Sequence, residues 1–195
     1  MLAALLLAAG ASTRFGSDKL LAHLGGQPLV RWSAAAMLTA PVSDVVVVCG
    51  PGPDADALRE ALDGLPVRFA VNPEPARGMG SSIASGVAAL PHATDAVLVA
   101  LADQPRPSAS ALQRVVDRYR AGGVSIIAPS FRGVPGHPVL FARDVFGELL
   151  ELSGDRGARA VVERAPSRVA IIEVDEDAPR DVDVPADLDV VDSGD

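Results

Sequence analysis

The 195-residue sequence has few aromatic side chains, at 4%, although its hydrophobic fraction is 49%. Its core must therefore rest on Ala, Val, Leu and Ile, which favours close layering of helix on sheet. Cysteine is limited to Cys49. This excludes an internal disulfide, and its place at the end of VVVVC reads as a buried strand residue in a reducing compartment. No apolar run is long: Met1–Ala9 is about half of the ~20 residues that a membrane helix needs, and no base precedes it as in a signal peptide. A cytoplasmic protein without membrane contact is expected. Clustered positive charge is also missing. Of 25 acids, ten fall within residues 173–195 against Arg180 alone, leaving fifteen acids and sixteen bases in the rest. That distribution excludes a general nucleic-acid surface and makes the C-terminal segment an acidic appendage with a largely solvated face. Lysine is nearly absent too, since sixteen of the 17 cations are arginine and Lys19 is the exception.

What is present is a repeating change of period. Residues 2–9, 44–49, 67–71, 96–101, 124–128 and 169–174 are short β-branched or continuous apolar runs bounded by turn residues, as buried strands are. Helical stretches fall between them at 28–39, 53–62, 80–90, 107–121, 143–152 and 155–164. Pro28, Pro53 and Pro107 are placed for first helical turns. The alternation predicts one α/β domain over residues 1–195, a mostly parallel sheet with helices on both faces, with residues 138–141 as a candidate antiparallel strand. No repeat or linker divides it.

In such sheets ligands bind beyond the carboxyl ends of the strands. That rule selects three loops: residues 10–19, 72–82 and 102–105. The first offers small residues that let backbone N–H groups approach an anion, then Arg14 and Lys19 to neutralise it. It is not a Walker loop, because Ser17 and Asp18 separate Gly16 from Lys19, and it lacks GxGxxG spacing; a plain strand-to-helix connection is the simpler alternative. Asp103 follows VLVAL, where it serves either as an oxygen ligand for Mg²⁺ or as a cap for the helix near Pro107, a role open to Ser108 as well. Asp181 and Asp183 alternate onto one face of an extended segment, and either offers a second carboxylate beside many solvated acids. His137, in GVPGHP, is a substrate contact or a structural histidine. Ser81 and Ser82 present hydroxyls and backbone donors to a ligand, or cap the following helix.

The stretch LAAGASTRFGSDKLL, residues 7–21, resembles the opening signature of nucleotidyltransferases related to molybdenum cofactor cytidylyltransferase. The likeness continues through Asn72 with GMGSS at 78–82, ADQP at 102–105, GHPVLF at 136–141, GDRGAR at 154–159 and DVDVPADL at 181–188. It implies a three-layer Rossmann-like nucleotidyltransferase that moves CMP from CTP to the terminal phosphate of molybdopterin and releases pyrophosphate. Arg14 and Lys19 are then expected at the triphosphate, and Leu7, Ala8, Ala9, Gly10, Asn72, Gly78, Ser81 and Ser82 around the nucleotide. Asp103 and Asp183 are expected on Mg²⁺, and His137 faces the acceptor. The acceptor is already an anion at neutral pH, so no strong general base is needed. Guanylyltransferase relatives usually carry LAGG, so the Ala9 methyl group is expected to favour a pyrimidine. A molybdoenzyme or its maturation factor is the implied protein partner. Two alternatives stay open: transfer to a sugar or polyol phosphate, and a non-catalytic nucleotide or molybdopterin chaperone.

Overall fold

Six apolar residues, Leu2–Leu7, form β1 at the centre of a sheet, and the strands on either side run in the same direction. The computed structural model describes residues 1–10, 15 and 18–193. Asp44–Cys49 (β2), Arg68–Val71 (β3), Ala96–Leu101 (β4), Ile126–Phe131 (β5), Val139–Ala142 (β6) and Val169–Val174 (β7) complete the order β7-β5-β6-β4-β1-β2-β3. Pairings β1–β2, β1–β4, β2–β3 and β5–β7 are parallel, while β6 is antiparallel to both β4 and β5. The register places Leu5 between Val46 and Val99.

Side-chain alternation sorts each strand onto two cores. Leu6, Val47, Leu98 and Leu140 face a layer that includes Val30, Met37, Leu58 and Val115 from Leu29–Thr39 (α1), Pro53–Ala61 (α2) and Ala109–Arg120 (α4). Leu5, Val46, Val97 and Phe141 face Ile83, Leu149 and Val161 from Met79–Ala88 (α3), Phe146–Leu150 (α5) and Arg159–Arg164 (α6). A sheet buried on both faces needs continuous apolar strands, as the sequence has. The result is the three-layer, mostly parallel nucleotidyltransferase-type fold expected.

Several boundaries differ from the sequence expectation. Pro28 caps α1 from outside, and Pro107 precedes the Ser108 cap of α4, whose Oγ accepts from Ala111 N at 3.1 Å. Asp103 is therefore not that cap. Strand β5 continues through Pro129 because the missing N–H falls between its antiparallel pairing with β6 and that with Val134–Pro135. The acidic C-terminal segment is fastened to the body. Val182 is fully buried, its N–H donates to Asp103 O at 3.0 Å, and Ala186–Ser193 forms α7.

Candidate active site

The loops after β1, β3 and β4 meet at the carboxyl edge of the sheet around a cavity of 780 Å³. That is within the ~300–1,000 Å³ range usual for ligand pockets. Leu7, Ala8, Ala9 and Gly10 line it where β1 ends, with Gly78 and Ser82 on the β3 side and Lys19 and Asp103 towards β4. Arg14 lies outside the described residues.

Asp18 begins the short 3₁₀ turn Lys19–Leu21, its carboxylate accepting from Leu20 N at 3.0 Å, and so fixes the backbone that carries Lys19. Burial raises the Asp18 pKa against that hydrogen bond, and the charge of Asp54 adds to the rise. Lys19 Nζ donates to Asp103 Oδ2 at 2.8 Å and to Asp183 Oδ1 at 2.9 Å. Burial works against its charge, but the two carboxylates outweigh burial and lift the ammonium pKa above its usual value. One compact cation thus holds together residues from three distant parts of the chain.

The Asp103 turn is pinned by groups that carry little local sequence signal of that role. Ser33, buried on α1, donates from Oγ to Ala102 O at 2.7 Å. Ala102 N donates to Leu7 O at 3.1 Å, and Gln104 Nε2 donates to Asp181 Oδ1 at 2.8 Å. A serine on the apolar face of LVRWSAAAM was the available signal for the first of these. Burial raises the Asp181 pKa, the Gln104 hydrogen bond opposes the shift, and the charges of Asp103 and Asp183 reinforce it. Of the two candidate partners for Asp103, Asp183 converges on the same cation and Asp181 is engaged by Gln104.

The β3 loop is organised by Asn72. Its Nδ2 donates to Ser81 Oγ at 2.8 Å and Ser82 Oγ at 3.0 Å, and its Oδ1 accepts from Glu74 N at 3.0 Å. Asn72 and Ser81 are buried bracing groups behind the wall, whereas Gly78 and Ser82 line the cavity. Ser81 Oγ also donates to Gly78 O at 2.8 Å. Because β6 runs backwards, its leading residue His137 reaches the same sheet edge as Asp103, which follows the neighbouring β4. His137 is not part of the cavity lining. Burial holds its imidazole below the usual pKa, against the pull of the Asp181 and Asp103 carboxylates.

Asp155 also lines the cavity, from the loop between α5 and α6. Its motif was visible in the sequence, but its place was not, because a backbone pairing brings it there. Gly154 N donates to Arg77 O at 2.7 Å, and Gly80 N donates to Gly154 O at 2.9 Å. The approach demands glycine: a Cβ on Gly78, whose φ is +88°, would lie 2.5 Å from Gly154 C, and one on Gly80 would lie 2.7 Å from Ser153 N.

A mostly parallel sheet with a cavity at its carboxyl edge, lined by a lysine and an aspartate that meet a third charged residue, is the arrangement of an α/β ligand-binding domain. Residues 4–169 match the family described as MobA-like NTP transferase domain, and the chain belongs to that family. It is 37% identical over 186 residues to nicotine blue oxidoreductase of Paenarthrobacter nicotinovorans, covering 91% of this chain and 90% of the relative. It is 35% identical over 111 residues to a probable molybdenum cofactor guanylyltransferase of Synechococcus elongatus, covering 57% of this chain and 55% of that protein. The Rv0371C structure in complex with manganese, from Mycobacterium tuberculosis H37Rv, superposes with a TM-score of 0.84 at 25% identity, covering 100% of this chain and 99% of the other.

Proposed function

We propose that the protein transfers CMP from CTP to the terminal phosphate of a molybdopterin-type acceptor and releases pyrophosphate, with Mg²⁺ as cofactor. The observation that carries this reading is the pair of carboxylate oxygens, on Asp103 and Asp183, that converge on Lys19 Nζ at the cavity edge. Two hard oxygen donors already gathered on one cation suit Mg²⁺, which takes one or two carboxylates and fills its remaining positions with water and phosphate oxygens. Bound there, Mg²⁺ would supply charge neutralisation at the reacting phosphates.

The chain's own residues do the rest. Lys19, freed from one carboxylate, offsets charge developing on the leaving pyrophosphate, with Arg14 assigned to the same anion. Backbone groups of Ala8–Gly10 approach the nucleotide, and Ala9 narrows the space for its base. Asn72 and Ser81 hold the wall that presents Gly78 and Ser82. His137 meets the acceptor as a neutral imidazole. The incoming phosphate is itself the nucleophile, so no side chain need remove a proton from it.

Purified protein with Mg²⁺, molybdopterin and each of the four nucleoside triphosphates tests this, read by pyrophosphate release and product mass. A cytosine dinucleotide is the expected product. Lys19→Ala and Asp103→Ala should each reduce turnover at least ~100-fold, with circular dichroism at the assay temperature showing that each variant is still folded. Full activity in both variants would remove the site. A sugar or polyol phosphate that replaces molybdopterin would move the acceptor assignment, and nucleotide binding without turnover would leave a chaperone. The 37% identity to a protein named as an oxidoreductase favours a second reading. Nicotine blue with an electron donor is therefore included as a substrate, and its turnover without pyrophosphate release would replace nucleotidyl transfer.

A further inference from the structure

The cavity has two unlike ends. Lys19 and Asp103 mark the charged one, beyond β1 and β4. Towards β2 and β3 the lining is mostly small and apolar, with Pro51, Ala55, Leu58, Pro75 and Ala76 around the carboxylate of Asp54. Phosphates belong at the first end, and the flat apolar faces of a nucleobase belong at the second.

Asp155 stands at the second end, against Gly78. Its Oδ1 lies 2.5 Å from where a Gly78 Cβ would be, so the carboxylate is seated in the space that glycine leaves. Hydrogen bonds between Gly154 and both Arg77 and Gly80 fix the backbone beside it. The carboxylate itself has no hydrogen bond or ion pair among the described residues. It is therefore a solvent-exposed acceptor on a fixed stretch of backbone at the cavity wall, open to a ligand. The neighbouring Ser82 Oγ, by contrast, already accepts from Asn72.

From this we infer that Asp155 is a specificity-determining residue that reads the nucleobase: its carboxylate accepts a hydrogen bond from the exocyclic amino group of cytosine and repels the carbonyl oxygen that uracil carries at the same position. The inference rests on the nucleotidyl-transfer reading and deepens it. An ionised carboxylate can only accept, so an amino edge satisfies it and a carbonyl edge leaves two acceptors face to face. Discrimination of this kind is stronger than any based on size, because a mismatched base displaces water from the carboxylate and returns no donor to it. Ala9 restricts room, whereas Asp155 sets the polarity of the edge.

Equilibrium binding in the presence of Mg²⁺ tests the inference with CTP, UTP and the triphosphate of pyrimidin-2-one riboside, which lacks the amino group. Three proteins are compared: the parent, Asp155→Asn and Asp155→Ala. In Asp155→Asn, CTP affinity should fall about tenfold and UTP affinity should hold or rise, because the amide can donate to the uracil oxygen. Removal of the amino group should cost the parent about tenfold and Asp155→Ala almost nothing, the non-additivity expected of a direct pair. Equal weakening of CTP and UTP, as a ribose contact would give, overturns the inference, as does an equal cost of the missing amino group in both proteins. The parent comparison needs no variant to fold, and lack of preference for CTP over the pyrimidinone also overturns it. A parent that binds no nucleoside triphosphate overturns the nucleotidyl-transfer reading and this inference together. A parent that prefers CTP, with the preference unchanged in the variants, overturns the role of Asp155 alone.

Discussion

Lys19 touches two carboxylates at once, and that contact decides its charge state. Its pKa is raised in the fold, so the stability it contributes is complete below the unfolded value and is lost only as pH climbs through the folded one. It remains a cation throughout the neutral range. His137 has the opposite sign. Its folded pKa is depressed, so the unfolded chain takes up the proton first and stability falls as pH drops below the ordinary histidine value. Thermal melts at pH 7.5 and 5.5 should show a larger loss in the parent than in His137→Gln, since the neighbouring carboxylates, Asp181 and Asp103, are common to both. A slope that is unchanged by the substitution would show that the imidazole does not carry it. Lys19 stood out in the sequence as the lone lysine within a glycine-bearing loop. Ser33 and Gln104 did not, because a hydrogen bond to a backbone 69 residues away, or to a carboxylate 77 residues away, leaves no local pattern.

At the scale of elements, the central strands were legible because burial on both faces requires unbroken apolar runs such as LAALLL and AVLVAL. The extension of β5 past Pro129 was not, since a proline normally ends such a run and only the split pairing of its neighbours permits it here. The loop pairing between residues 77–80 and 153–155 was likewise hidden. Its glycines are spaced like ordinary turn residues, and their role is set by a partner far along the chain. Gly78→Ala and Gly80→Ala should each destabilise the protein by about 2–4 kcal/mol, because a Cβ would strike backbone, and at Gly78 a left-handed φ adds strain. Gly147→Ala is the control. It lies in α5 with nothing within 4 Å of a new Cβ and should stabilise by about 0.5–1 kcal/mol. Denaturant titration of the three variants measures both signs, and similar midpoints would show that the two loops do not lock.

Over the whole molecule, the sheet order places the reversed strand β6 beside β4 and lets the C-terminal segment return to the Asp103 turn. Composition suggested an acidic appendage there, since ten acids near one base outweigh a single valine in any local measure. Val182 decides otherwise by filling the core between Asp181 and Asp183. Val182→Ala should cost about 2 kcal/mol, and a Tm lower by roughly 4–8 °C, with weaker Mg²⁺-dependent nucleotide binding although Val182 offers no ligand atom. Calorimetry alongside nucleotide titration would check both, and undiminished binding would separate the anchor from the site.

The bond from Lys19 to Asp183 spans 164 residues. Chains are synthesised from the N-terminus, so Lys19, the central strands and Asp103 have all left the ribosome well before the second carboxylate exists. A nascent or prematurely terminated chain can own most of the cavity without owning the pair of acids that meets on the lysine. Synthesis through Asp183 is therefore a condition for bringing the two carboxylates together on Lys19.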